Sequence, residues 1–325
     1  MDAATFPRSA GHKPALAAFA ATAAFWVFVL VTLGAFTTTI GAGMAFQDWP
    51  LSNGSLNPKG WLSNLAMFAE HSHRLSAGLM TFLTAALAVW IWVTESRRWM
   101  RRLAWFAIGL VLAQALLGGL RVLLDHIQVR SLETSVGRLL AMLHACVAQA
   151  FACTLIGLAI SSSKAWISRP FTAGAGVRKA GMVCCAVLFV QLAVAAVMRH
   201  SFAGMAIPTF PWSTPQGALL PEVWNFRVAI QFAHRVLAGV VAVAVVVYAA
   251  AIWRDRTLPV AMRSGASVLV SLVAFQILLG ATIIRTFRDP YVTTAHVLVG
   301  ALTLVTAFCL NWYAHRDAIE ASAAP

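Results

Sequence analysis

Charge is scarce in this sequence. Of 325 residues only 11% are Asp, Glu, Lys or Arg, while 60% are hydrophobic; a soluble domain carries about 25% charged and about 45–50% apolar residues. The deficit excludes a soluble globular domain and identifies a polytopic membrane protein. The net charge of +13 is therefore no nucleic-acid signal, because Lys and Arg in a membrane protein mark its cytoplasmic loops. Cysteine is limited to Cys146, Cys153, Cys184, Cys185 and Cys309, all inside apolar runs and none in a C-x-x-C pair. That pattern gives no reason to expect a disulfide or a zinc site, and suits core packing. The basic but short N-terminal stretch (Arg8, Lys13) lacks a small-residue cleavage site, and no long Arg- and Ser-rich transit segment precedes the first apolar run. A retained first helix and a bacterial inner membrane, not an organelle, are expected.

What is present is a series of apolar runs. A span needs roughly 20 mostly apolar residues, and eight are expected, near 15–37, 66–93, 103–124, 138–160, 180–199, 226–252, 264–284 and 291–313. Arg97, Arg98, Arg101 and Arg102 follow the second; Lys164, Arg169, Arg178 and Lys179 follow the fourth; Arg254, Arg256 and Arg263 follow the sixth. These loops, with both termini, are assigned to the cytoplasm. The opposite loops, 38–65 and 200–225, are long, rich in Gly, Pro, Trp and Asn, and nearly free of Lys. Loops of that kind either cover a site or connect helices.

The chain repeats itself. Glu70-His71-Ser72-His73-Arg74 is echoed by Gln231-Phe232-Ala233-His234-Arg235, 161 residues on (234 − 73). At the same offset Ala42-Gly43-Met44 returns as Ala203-Gly204-Met205, and Pro50 as Pro211. Four spans per copy, an even number, make this a parallel repeat, unlike inverted repeats of transporters. The expected fold is an all-α membrane protein whose eight transmembrane helices form two parallel-repeat four-helix bundles, residues 1–163 and 164–325.

Four of the nine histidines repeat. His73 pairs with His234, and His144 in Ala141-Met142-Leu143-His144-Ala145 pairs with His296 in Thr293-Thr294-Ala295-His296-Val297. Between them, Gln114-Ala115-Leu116-Leu117-Gly118 matches Gln276-Ile277-Leu278-Leu279-Gly280. Each bundle thus offers two histidines on different helices, one to two turns in from the outer face. That suits a haem held by two axial imidazoles across a bundle core; a proton relay or an interhelical hydrogen bond is the simpler alternative. Arg74, Arg121, Arg235 and Arg285 stand near the same depth and suit haem propionates, or snorkel at the interface. The copies differ at one telling place. Glu70, one turn before His73, is Gln231 in the second copy. A carboxylate beside one site only is a candidate for proton handling, with helix capping as the plain alternative. The asymmetry implies that the first half does chemistry and the second holds a permanent haem.

Taken together, Gly43-Met44 with Asp48-Trp49-Pro50, Glu70-His71-Ser72-His73-Arg74, Leu117-Gly118-Gly119-Leu120-Arg121, His144, His234-Arg235, Gln276-Ile277-Leu278-Leu279-Gly280 and His296 resemble the haem A synthases, over nearly the whole chain. The resemblance implies oxidation of the C8 methyl of haem O to a formyl group by successive hydroxylation at the outer side. It implies haem O as substrate at His73 and His144 and haem b as cofactor at His234 and His296. It also implies Glu70 as the functional carboxylate, and haem O synthase and terminal oxidase assembly factors as partners. The chain departs from many relatives in having Thr37-Thr38-Thr39 where an Arg is common, and Phe46 where an outer-loop Cys is common. The alternative is a di-haem b-type cytochrome for electron transfer only, which does not need Glu70. A transporter would favour polar residues at the midplane, and a haem O-forming prenyltransferase would need clustered aspartates for a diphosphate–magnesium site, which the loops lack. The residues name no electron donor.

Overall fold

A computed structural model of the protein describes residues 11–168 and 172–321; Arg8 and Arg169 lie outside the described residues. The helices, in chain order, are α1 (Pro14–Thr39), α2 (Leu65–Thr94), α3 (Arg98–Leu123), α4 (Val136–Ser162), α5 (Lys164–Ser168), α6 (Ala175–His200), α7 (Phe226–Arg254), α8 (Val260–Arg285), α9 (Pro290–Ala314) and α10 (Arg316–Ala321). All but the short α5 and α10 are long and apolar enough to cross a membrane. Among the described residues the only strands are β1 (Gln128–Val129) and β2 (Thr134–Ser135), an antiparallel pair before α4. This is an all-α, multi-pass membrane protein.

The helices outrun the apolar segments. Expected starts at 103, 180 and 264 lie inside helices that begin at Arg98, Ala175 and Val260. The added turns carry Arg98, Arg101, Arg102, Arg178, Lys179 and Arg263. Hydropathy registers only the length facing lipid, whereas the backbone ladder continues as long as basic side chains can extend into water. Helices of 25 to 30 residues are about 38–45 Å long, more than the hydrocarbon core of about 30 Å.

The four helices that carry the repeated histidines start with side-chain caps. Asn64 accepts from the amides of Ala66 and Met67, Ser135 from Arg138, Asn225 from Val228, and Asp289 from Tyr291 and Val292. No side chain caps α1, α3, α6 or α8. A cap satisfies amides that have no helical partner and fixes where the helix begins, so the registers of α2, α4, α7 and α9 are set at the end nearest the histidines.

Packing follows a simple order. Helices α1 to α4 contact in the ring α1–α2–α3–α4–α1, and α6 to α9 in the ring α6–α7–α8–α9–α6. The two sets meet where α1 and α4 touch α9 and where α4 touches α6. Two buried apolar clusters fill them, one around Leu16, Met80, Leu87, Ile91 and Leu155, the other around Tyr248, Ile252, Leu269 and Val245.

The end opposite the caps is tied by ions. Glu95, 2% exposed, accepts from Arg97 Nε at 3.1 Å and Nη2 at 2.9 Å. Arg97 Nη1 reaches Glu320 at 3.0 Å, and the indole of Trp166 donates to the same carboxylate at 2.5 Å. Lys13 lies 3.8 Å from Glu95. Burial alone would raise the Glu95 carboxyl, but the hydrogen bonds and charge of Arg97 hold it below the usual carboxylate range. The start of α1, the α2–α3 junction, α5 and α10 thus converge.

Candidate functional site

His73, His144 and His234 each stand at the ninth residue of their helix, and His296 at the seventh. They lie about 12 Å and about 9 Å from the capped ends, at one depth. His73 and His144 interact electrostatically across the first set of helices, with Arg121 acting on both. In the second set the rings of His234 and His296 have centroids 6.4 Å apart.

Small residues let the rings approach neighbouring backbones. A Cβ on Gly34 would stand 2.8 Å from Cε1 of His73; on Gly118 it would stand 3.3 Å from that of His144, and on Gly280 3.3 Å from that of His296. The Nδ1 atoms of all four histidines are buried without a hydrogen-bond partner. Orphaned polar atoms at four matched places call for an explanation.

The long loops before α2 and α7 are each clamped to the following histidine helix by matched contacts. Glu70 Oε2 accepts the amide of Phe46 at 3.0 Å, and Gln231 Oε1 that of Ile207 at 2.5 Å. Arg74 donates to the carbonyls of Phe46 and Leu51, and Arg235 to those of Ile207 and Trp212. All four pairs of positions are 161 apart. The clamps differ in charge: Arg74 also binds Glu70 Oε1 through Nε at 3.2 Å and Nη2 at 2.5 Å. Glu70 is 4% exposed. It caps no helix; the cap of α2 is Asn64.

Asp48 braces the first loop by accepting the amides of Asn53 and Gly54. Burial works against its ionised form, but those amides and Arg74 outweigh it, and the carboxyl sits below its ordinary range. His71, the first histidine of the motif, is held by Ser52 Oγ at 3.0 Å and the Leu56 carbonyl at 3.1 Å. It secures the loop and stands apart from the facing rings.

The four arginines separate into different settings. With the Asp48 carbonyl added, all five N–H groups of Arg74 are engaged by protein. Arg121 makes no hydrogen bond or ion pair among the described residues and lies so close to Gly43 that a Cβ there would meet its Nη2. Arg235 is partly engaged, and Arg285 is exposed at the end of α8. Sequence reasoning set Arg199 opposite Thr38 but gave it no role; its Nη2 donates to the Ala35 carbonyl and Thr39 Oγ1, both at 2.6 Å. His200, near enough to Arg121 and Arg138 to feel their charge, also had no assigned role. The signal was present: Arg199 matches Thr38 at the 161 offset, at the break in the repeat.

The residues present fit haem. Among the described residues no three His, Cys, Asp or Glu side chains form a metal-ligand set; the histidines come in twos, as bis-imidazole ligation requires. An iron bridging two imidazoles through metal–nitrogen bonds of about 2 Å holds ring centres about 6 Å apart, close to the spacing of His234 and His296.

Comparison with known proteins agrees. Residues 17–308 match the family of cytochrome oxidase assembly proteins, COX15-CtaA. The chain is 28% identical over 218 residues to a haem A synthase of Bacillus pumilus, covering 66% of this chain and 67% of that protein. It is 24% identical over 280 residues to one of Listeria welshimeri, covering 83% and 86%, and 32% identical over 114 residues to one of Lysinibacillus sphaericus, covering 34% and 36%. The chain therefore belongs to the COX15-CtaA family of cytochrome oxidase assembly proteins.

Proposed function

We propose that this protein is a membrane oxidoreductase that makes haem A, oxidising the C8 methyl of haem O to a formyl group near the outer face of a bacterial inner membrane. Family membership and the haem A synthases among its relatives support the reaction class. The observation that carries the division of labour is the pair of matched clamps, which share the loop amide bond and two Arg–carbonyl bonds but place a carboxylate ion-paired to Arg74 in the first and a neutral amide in the second.

In this reading residues 1–163 take the substrate and residues 164–325 hold the cofactor. His73 and His144 bind haem O, and His234 and His296 bind haem b. Haem b, when bound, supplies one-electron chemistry. The propionates go to basic groups near the histidines: Arg121, whose donors are free, for the substrate; Arg235 and Arg199 for the cofactor. Arg74 acts through the loop that it pins over α2, and Arg285 stands at the outer rim. Glu70, held by Phe46 and Arg74, keeps a proton-accepting oxygen within one turn of His73. The outer loops exclude water from the histidines they cover. The basic residues of the ion-tied end face the cytoplasm, together with both termini. Haem O arrives from the enzyme that forms it, within the lipid, and haem A leaves to oxidase assembly.

One observation favours a second reading. Both oxygens of Glu70 are used by its loop clamp, as the amide of Gln231 is. A carboxylate with a purely structural task would make the protein a di-haem b-type cytochrome for electron transfer. Extraction and chromatography of haems from membranes containing the protein and a haem O supply separates the two. Haem A or its hydroxylated precursor supports the oxidase; haem b with unchanged haem O, under good expression and a competent electron supply, supports the cytochrome.

A further inference from the structure

Each histidine helix is preceded by a helix with one residue facing the histidine's own turn. Gln114 Nε2 on α3 donates to the main-chain carbonyl of His144 at 2.9 Å, Gln191 on α6 to that of His234 at 3.1 Å, and Gln276 on α8 to that of His296 at 2.9 Å. The residue on α1 that matches Gln191 is Leu30 (191 − 161). Leucine has no side-chain donor. Among the described residues no side chain donates to the carbonyl of His73.

The contacts between α1 and α2 flank that place. Thr37 Oγ1 donates to the Ala69 carbonyl at 3.0 Å, one turn outward beside Glu70, and the indole of Trp26 reaches the Ser76 carbonyl at 3.4 Å, nearly one turn inward. The turn of Glu70 is thus secured, and that of His73 is not. The wall beside the ring differs as well. His73 packs on Gly34, where the 161 offset gives Ala195.

We propose that His73 is the exchangeable histidine of the first-half site and His144 the fixed one, with Leu30 as the position that sets the difference. This rests on the reading that the first half binds a haem between them. Two imidazoles leave no free position on an iron, so a small molecule can bind only where one histidine withdraws. A side chain whose own peptide is tied to the next helix withdraws only by breaking that tie. Three of the four histidines carry the tie. His73 can withdraw by a local adjustment of α2, a minor conformer that an incoming ligand would select.

The test uses the full chain in lipid nanodiscs, loaded with haem b as the probe at both sites and reduced. Carbon monoxide is titrated and read optically. Carbon monoxide should bind the first-half haem and leave the second-half haem unchanged. Leu30→Gln, which supplies the missing donor, should raise the half-saturating concentration about threefold, the size of one interhelical hydrogen bond in a membrane protein. Gln191→Leu, which copies the α1 arrangement into the second half, should make that haem reactive. His73→Ala should still load the first half, whereas His144→Ala should not. Equal loss of loading in His73→Ala and His144→Ala would overturn the proposal. So would wild-type titrations for both Leu30→Gln and Gln191→Leu. If the wild type takes no haem in its first half, the underlying reading of that half fails instead.

Discussion

Glu70 and Gln231 accept the same hydrogen bond at matched places, from the loop amides of Phe46 at 3.0 Å and Ile207 at 2.5 Å. An amide therefore satisfies the geometry of this position. What Glu70 adds is a charge, balanced by Arg74 at 2.5 Å, whereas Arg235 makes no bond to Gln231 and spends its donors on loop carbonyls. A carboxylate kept where an amide would hold the loop is the basis for assigning chemistry to the first half.

Arg74→Ala should be strongly destabilising. It strips the carbonyls of Phe46, Asp48 and Leu51 of a donor and leaves Glu70 buried without its cation. Removing one partner of a buried pair costs about 3–5 kcal/mol. Thermal unfolding in detergent should show the loss, and limited proteolysis should open residues 40–64 first. Arg74→Lys should recover only part, because one ammonium cannot serve a five-donor fork.

His234→Ala and His296→Ala should each lower bound haem b, while His73→Ala and His144→Ala should leave it in place. Pyridine haemochrome analysis of purified protein measures this directly. Full haem b in both second-half variants would move the cofactor out of that half.

Gly34→Ala should disturb the first site more than Gly118→Ala. A Cβ on Gly34 meets His73 at 2.8 Å, whereas on Gly118 it meets His144 at 3.3 Å. The first must displace the ring and should cost about 1–3 kcal/mol, the usual range for overpacking; the second needs only a small shift. Haem titration of the two variants should rank them in that order.

The ion-tied end gives a pH dependence. The Glu95 carboxyl is held below its ordinary value of 4.5, so its stabilisation is fully present above that value. It is lost as pH falls through the lowered one. Unfolding temperatures should hold from pH 7 to pH 5 and fall on further acidification, and Glu95→Gln should reduce that step while lowering stability at pH 7 by about 3 kcal/mol.

Much of this was legible in the sequence because its causes are local. Apolar length gave eight spans, the 161 offset gave the match of His73 to His234 and the Glu70–Gln231 difference, and a separate offset of 152 (296 − 144) gave that of His144 to His296. Three features were not legible. Arg74 looked available for a propionate, because nothing in the chain order shows five acceptors folding back onto one guanidinium. Glu70 was read as a proton-handling candidate or a helix cap, and its loop clamp stayed hidden because its partner amide at Phe46 lies 24 residues away in an irregular loop. Arg199, at the end of α6, had no assigned role, yet it bonds Thr39 at the end of α1. Contacts between the two sets of helices depend on how α1, α4, α6 and α9 meet, which periodicity does not encode.

The central claim is that the two halves are unequal and that Glu70 makes them so. It is tested most directly by Glu70→Gln, which converts the first clamp to the chemistry of the second. Membranes carrying wild type and variant, with a haem O supply, are extracted and their haems separated. Wild-type haem b is expected in both, with haem A or its hydroxylated precursor in the wild type and neither in the variant. Undiminished haem A from Glu70→Gln would contradict the claim and would leave Glu70 as a loop clamp alone.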